Sequence, residues 1–435
     1  MLRFDRSLYY AKYSVKWLFI AVITGITGGI IGSLFVLGVT KANLFWYAHR
    51  WMTLALPFAG LAIIFLYNKF HFQKAKGTNR IIETIRDQEE TPVIVGPLIF
   101  VATMLTHAFG GSAGREGAAV QIGGSIGAGY AKVMKLDQKD KSLAVICGVS
   151  AVFAALFNTP LTAVFFALEV TSVGILYYAG LLPCIISSMV SVSITRVFGI
   201  EKDPWDVVNI PDASIELFIK VAVIGFAAAL VSIVIVVIFN FIRIYSEYLF
   251  MNQYLRVFIG GLLIIGLSIV FNSGDYNGSG TQMIFRALNG QSNWWDFPVK
   301  LIFTAITLGF GFKGGEIVPT FFMGAVTGCW LGNLIGMDPG FAAAMGLVCA
   351  FCGAVNCPVA SIVMAMELFG SQGLLLFGLG CAVSYTFSGY FSLYTSQKIV
   401  YSKTRAEYIN TNSKSGMDEL HLDEILGEKD VDKNK

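Results

Sequence analysis

AALFNTPLTAVFFALE, residues 154–169, has a counterpart in AFCGAVNCPVASIVMAMELFG, residues 350–370. Each stretch carries Asn-x-Pro followed by a single acid: Asn158, Pro160 and Glu169 in the first, Asn356, Pro358 and Glu367 in the second, eleven residues from Asn to Glu in both. The match continues upstream. Glu116 lies 42 residues before Asn158 and Glu316 lies 40 before Asn356. Both follow glycines, and each leads into a glycine-punctuated run, GAAVQIGGSIGAG or IVPTFFMGAVTG. Four ordered correspondences at an offset of about 200 residues imply an internal duplication.

Composition puts that duplication in a bilayer. The chain has 435 residues, 55% of them hydrophobic and 14% charged, with a mean hydropathy of +0.67, far too apolar for a soluble domain of this length. No Asp, Glu, Lys or Arg interrupts residues 17–40, 51–68, 92–114, 142–168, 170–195, 221–242, 257–274, 317–337, 339–366 or 368–397. A crossing helix needs about 20 mostly apolar residues, so several runs span once and others hold two shorter helices broken at glycine or proline. The expected fold is an all-α, multi-pass membrane protein of two related halves.

The first segment, MLRFDRSLYYAKYSVKW, mixes Arg3, Arg6, Lys12 and Lys16 with aromatics, and the apolar run after it is too long for a signal peptide. It reads as an amphipathic interfacial helix over residues 1–16 with a cytoplasmic N-terminus. A first membrane repeat over 17–200 and a second over 201–402 follow. From Lys403 the chain turns polar and acidic, which predicts a short charged cytoplasmic tail over 403–435.

A duplicated membrane protein with helix-breaking glycines in matching places points to a transporter. Broken helices end partway through the bilayer and aim unpaired N–H groups, together with the positive end of the helix dipole, at a shared midplane site. GSAGREG at 111–117 and GFKGGEIVP at 311–319 are the best such starts, and Pro319 suits a first helical turn. Arg115 and Glu116 then need separate roles. A charge in the hydrocarbon interior costs at least about 2.5–3.5 kcal/mol, so both must face protein or water. In a structural reading Glu116 or Glu169 neutralises Arg115. In a functional reading Arg115 fixes the backbone while Glu116 competes with the transported anion as a tethered mimic. Protonation ends its claim on the site, and burial beside an anion favours the neutral carboxyl. Such a residue is both gate and proton carrier.

GREG before a glycine-spaced helix, NTPLTAVFFALE, GGEIVP with FFMGAVTG, and the second Asn-x-Pro segment together resemble the CLC family of anion channels and anion/proton antiporters. The resemblance covers about residues 15–400. It implies a homodimer of inverted-repeat subunits, each with its own pore and with broken helices meeting at the midplane. It also implies an external gating glutamate matching Glu116 and a late tyrosine on the central anion, best matched by Tyr394. Departures from the chloride pattern are informative. GTNRI at 77–81 puts Thr78 where chloride-handling members have the serine of GSGIP, GREGA replaces GREGP, and GGEIVP replaces a GGIFAP-like string. Val170 stands where chloride/proton exchangers carry an inner glutamate. These features resemble the fluoride-exporting branch.

Fluoride is small and strongly hydrated, so its site must supply close donors. The hydroxyls of Thr78 and Tyr394 and the N–H groups of Gly117, Ile317 and Val318 are the candidates. Glu316 is the candidate second proton or fluoride-coupling group, the alternative being a stabilising pair with Lys313 or Arg80. Arg115, Asn158, Pro160, Glu169, Asn356, Pro358 and Glu367 read as structural support, the two asparagines as caps at helix starts. The expected activity is export of fluoride in exchange for protons, with Glu116 as gate.

Other classes find less support. Seven cysteines without metal-ligand spacing read as buried packing residues, and four histidines without His-x-x-His give no metal site. DYNGSG at 275–280 begins like a calcium loop but lacks the acids that should follow. No cofactor is expected. Nothing suggests nucleic acid, no Walker loop suggests a nucleotide, and no serine or cysteine is arranged with a histidine as an enzyme nucleophile would be. The rivals are a chloride/proton antiporter, a passive anion channel and, from another class, a cation or solute transporter. A bacterial inner membrane suits the chain.

Overall fold

The computed structural model describes residues 2–72, 76–87, 89–201, 205, 209–212, 214–271 and 274–414. Among them the first half folds into α1 (Leu2–Ala48), α2 (Leu56–Lys69), α3 (Thr78–Arg86), α4 (Val95–Ala108), α5 (Glu116–Val133), α6 (Gln138–Phe157), α7 (Pro160–Glu169) and α8 (Leu181–Val197). The second half repeats the order as α9 (Ile215–Leu249), α10 (Gln253–Phe271), α11 (Thr281–Leu288), α12 (Asp296–Gly309), α13 (Ile317–Ile335), α14 (Pro339–Val355), α15 (Pro358–Phe369) and α16 (Leu374–Phe387). Each half thus opens with its longest helix.

Seven helical stretches among the described residues are long and apolar enough to cross a membrane, including Tyr13–Ala48, Gln138–Phe157, Ile215–Leu249 and Ile317–Ile335. Helices such as α4, α7, α14, α15 and α16 are apolar but shorter. The charge-free run 142–168 shows why: it contains most of α6 and α7, parted at Asn158 and Thr159. In both halves the glycine-spaced helix packs closely on its successor. Gly123 of α5 lies against the Gly148 carbonyl of α6, and Gly324 of α13 lies against the Gly346 carbonyl of α14, so any Cβ there meets backbone. Small residues at such contacts let helices approach without a hydrophobic driving force.

The asparagines do not cap helix starts as the sequence suggests. Asn158 ends α6 and Asn356 ends α14, both left-handed, at φ 56°, ψ 33° and φ 56°, ψ 38°. Asparagine tolerates that conformation, which stops a helix and turns the chain. Thr159 and Cys357, the residues at the next starts, supply no side-chain cap. Glutamates from the opposite half do so instead. Glu367 accepts from Leu161 N (3.0 Å), Thr162 N (2.7 Å) and Thr162 Oγ1 (2.6 Å) at the start of α7. Glu169 accepts from Val359 N (3.3 Å) and Ala360 N (3.0 Å) at the start of α15. The two halves are therefore joined by reciprocal caps, with Phe166 and Phe351 packed between them at 6.1 Å.

A small sheet adds to the helices. β1 (Ser172–Val173) pairs in parallel with β2 (Lys398–Tyr401), which pairs antiparallel with β3 (Tyr408–Asn412). The chain does not leave the body at Lys403, where the polar composition begins. The Lys403 amine donates to Asn356 Oδ1 (2.5 Å), Tyr385 O (2.9 Å) and Ser388 Oγ (3.0 Å), and lies 4.4 Å from the Tyr385 ring centre. Residues 415–435, most of the expected tail, lie outside the described residues. At the other end, α1 runs without a break through residue 16, and the side chains of 2–12, where amphipathicity is expected, lie outside the described set. All seven cysteines are buried and free.

Candidate anion and proton site

Two glycine turns bring the starts of α5 and α13 together. Gly114 N donates to Gly315 O (2.8 Å) and Gly315 N to Gly114 O (2.7 Å), a two-bond antiparallel bridge between the halves. The turns are fixed from behind. Ser112 N donates to Thr307 Oγ1 (3.1 Å), Ser112 Oγ pairs with Thr304 Oγ1 (2.9 Å), and Lys313 N donates to Thr106 Oγ1 (3.3 Å). The loop of one half thus hangs on the helix preceding the loop of the other.

Glu116 is fully buried at this junction. Its Oε1 accepts from Arg115 N (3.0 Å) and its Oε2 from Val318 N (3.1 Å). The carboxylate lies between the N-cap N–H of α5 and a first-turn N–H of α13, a setting that favours negative charge. Gly114 and Gly315 must lack side chains, because a Cβ on either overlaps Glu116 Oε2. Gly117 and Ile317, the other backbone donors expected from the sequence, lie in the first turns of α5 and α13.

On one side of Glu116 lies a cavity of about 140 Å³ lined by Thr78, Gly117, Gln121, Glu316 and Tyr394 among others. Thr78 begins α3 after Gly77, whose φ of 58° suits glycine. Its hydroxyl is 3.5 Å from Gly117 O. Tyr394 is buried, and its backbone is held by Ser392 Oγ at its N–H (3.1 Å) and by Ser413 Oγ at its carbonyl (2.8 Å). Glu316 lines the same cavity, and no hydrogen bond or ion pair engages its carboxylate among the described residues. The stabilising pair with Lys313 or Arg80 does not form. Lys313 lies 5.0 Å from the Tyr67 ring centre and Arg80 lies 5.7 Å from that of Phe72. Nor is Glu169 available to neutralise Arg115, since its carboxylate caps α15.

A second cavity, of about 220 Å³, is lined by Asn43, Tyr47, Arg115, Thr281 and Val318 among others. Thr281 was not singled out by sequence, although GTQMI at 280–284 matches GTNRI at 77–81. The two threonines open α3 and α11, and each lines one of the two cavities. His107 is a second residue that sequence reasoning missed. It is fully buried, with Nε2 3.2 Å from Gly114 O and Nδ1 3.0 Å from Asn43 Oδ1. Nε2 donating to Gly114 O leaves Nδ1 as an acceptor for the side-chain amide of Asn43. DYNGSG is a loop that buttresses the same turn, through Asn277 Nδ2 on Gly110 O (2.7 Å) and Gly278 N on Gly111 O (3.1 Å).

The site offers backbone N–H groups and hydroxyls of the kind that bind a small anion, and two carboxyls, buried Glu116 and half-buried Glu316, of the kind that can hold a proton. The sequence model of the family described as voltage gated chloride channel matches residues 58–389. The chain is 32% identical over 398 residues to a chloride/fluoride channel protein of Pseudomonas syringae pv. tomato, covering 90% of this chain and 88% of the relative. It is 25% identical over 393 residues to an H(+)/Cl(-) exchange transporter of Vibrio cholerae, covering 82% and 83%. Among solved structures it resembles a CLC-type fluoride/proton antiporter, with a TM-score of 0.85 at 31% identity over 88% of this chain and 98% of that one. A slow cyanobacterial Cl-/H+ antiporter shares the fold, with a TM-score of 0.75 at 18% identity over 86% and 94%.

Proposed function

This chain belongs to the voltage-gated chloride channel, or CLC, family of membrane transport proteins, and from that membership we propose that it exports fluoride in exchange for protons. The observation that carries the reading is the Glu116 carboxylate bound to Val318 N and Arg115 N, with Glu316 unpaired in the cavity beside it. Similarity to the CLC-type fluoride/proton antiporter supports the choice of ions. So do Thr78 and Glu316, which stand where chloride-handling members carry other residues.

In the proposed cycle ionised Glu116 closes the pathway by satisfying the N–H groups that would bind the anion. A proton arriving from outside neutralises it. A neutral carboxyl binds those N–H groups less strongly than fluoride does, so it swings away. Fluoride from the Tyr394 side then takes the N–H groups of Val318, Ile317 and Gly117, with the hydroxyls of Thr78 and Tyr394 behind it. Protonated Glu316 donates one further hydrogen bond to fluoride. When fluoride leaves outward, Glu116 returns, and its proton passes inward by way of Glu316, in place of the inner glutamate replaced by Val170. Proton influx thereby drives fluoride efflux. The protein acts as a homodimer in a bacterial inner membrane, both termini cytoplasmic, each subunit carrying its own pathway.

Paired recording of fluoride efflux and internal pH in proteoliposomes, for the wild type and Glu116→Gln, tests this. The proposal expects rapid fluoride flux, weak chloride flux, and proton uptake that disappears in the variant. Comparable chloride flux would sink the fluoride assignment. Fluoride flux without proton movement would make the protein a channel, as the name of its Pseudomonas relative describes that protein.

A further inference from the structure

Arg243 raises a question that the cycle above leaves unanswered. It lies within the 35-residue apolar helix α9, where a cation is costly. Its Nη2 donates to Asn240 Oδ1 one turn back (2.7 Å), and Asn240 Nδ2 in turn donates to Val236 O (2.9 Å), which fixes the guanidinium against its own helix. No carboxylate lies within ion-pair distance of it among the described residues. A guanidinium carries five N–H donors. Arg243 lines two neighbouring spaces, the 140 Å³ cavity beside Tyr394 and a smaller one of about 50 Å³. Glu316 and Leu393 line both spaces with Arg243, and the charge of Arg243 bears on the Glu316 carboxylate.

Lys313 adds a second cation to the wall of the larger cavity, also without an ion pair among the described residues. Lys76 is the third cation there, but its amine is bound to Glu83 at 2.6 Å and lies 3.6 Å from Glu89. The Tyr394 side is thus a small chamber with three cations and one acid, Glu316, in its wall. Such a chamber focuses the field and raises the local concentration of a small anion.

We propose that Arg243 is the anion-collecting residue of this chamber, holding fluoride by N–H donation beside Glu316 before it reaches the Glu116 gate. No covalent bond forms or breaks in this step. The inference rests on the fluoride reading for the identity of its cargo. Arg243 sets how much fluoride is needed to fill the pathway, whereas the gate sets how fast a filled pathway turns over.

The test is the dependence of initial efflux rate on luminal sodium fluoride for wild type, Arg243→Gln and Arg243→Lys, at low and high ionic strength with gluconate as the added anion. Arg243→Gln is expected to raise the half-saturating fluoride concentration about tenfold, with the maximal rate within about twofold of wild type. Arg243→Lys keeps the charge and should stay within about threefold. In wild type, raising ionic strength should raise the half-saturating concentration by screening, a measurement that needs no variant to fold. In liposomes of mixed orientation only the component loaded through the Tyr394 side should shift. An unchanged half-saturating concentration in Arg243→Gln overturns the inference, as does a loss of maximal rate alone, which marks Arg243 as structural. Should wild type move chloride but not fluoride, the fluoride reading fails, and the same series run with chloride decides whether Arg243 collects anions.

Discussion

At the junction of α7 with α15 each half gives one glutamate to the other; at the junction of α5 with α13 only one glutamate crosses. Glu169 and Glu367 cap each other's helices, five hydrogen bonds in all. Glu116 binds Val318 N, but Glu316 makes no return bond and faces the Tyr394 cavity instead. One duplicated design therefore yields a closed joint and an open one. N–H groups held at the open joint by a single carboxylate, with no return bond from Glu316, suit the proposed anion pathway; at the symmetric joint both helix starts are capped.

The largest effect should come from breaking the open joint. Glu116→Gln removes the ionisable gate, so fluoride-coupled proton movement should fall by about 100-fold or more, read by internal pH in proteoliposomes. The sign of the pH dependence follows from the same step. Release of Glu116 needs a proton from outside, so wild-type efflux should rise as external pH falls, while the variant should be flat. Glu316→Gln comes next. It keeps a donor but cannot exchange a proton, so coupled efflux should drop about tenfold or more, with less effect on fluoride binding measured calorimetrically.

At the closed joint the effects should be on stability rather than coupling. Glu367→Ala removes three hydrogen bonds and should lower stability by about 2 kcal/mol, and Glu169→Ala, with two, by about 1 kcal/mol. Thermal unfolding in detergent reads the difference, and the folded fraction should keep its proton coupling. The smallest effect should be at Asn158. Its left-handed backbone suits glycine, and its Oδ1 has no partner, so Asn158→Gly should change stability by only a few tenths of a kcal/mol, roughly the scale of an Asn-to-Gly change at a cap. Asn356→Gly should cost about 2 kcal/mol, because that side chain bonds Phe391 O, Gln397 and Lys403.

That last contrast shows what the sequence could and could not convey. Asn-x-Pro with a following acid exposes the repeat because these residues stand out in an apolar run. It does not say whether the asparagine closes one helix or opens the next, since both positions favour Asn and precede a proline. The capping partners are invisible for a different reason: Glu367 and Thr162 are 205 residues apart. Glu116, Thr78 and Tyr394 could be named from motifs, yet which N–H groups the carboxylate takes depends on how the two loops bridge. Thr281 and His107 were overlooked because a short GT-x-x-I match and a lone histidine carry little signal by themselves. Lys403 misled through composition. A polar stretch reads as solvent-exposed, whereas here three oxygens and a tyrosine ring bring it back to the body.

The most direct test of the account is uphill transport. Proteoliposomes are loaded with equal fluoride inside and out, the external medium is acidified with an impermeant buffer, and the membrane potential is clamped with potassium and valinomycin. Hydrogen fluoride that crosses the bilayer unaided carries fluoride inward under this gradient, so protein-free vesicles set the baseline. Relative to that baseline, the account predicts net fluoride export against its own gradient, accompanied by proton uptake and absent in Glu116→Gln. Fluoride that moves only down its electrochemical gradient, whatever the pH difference, would contradict it.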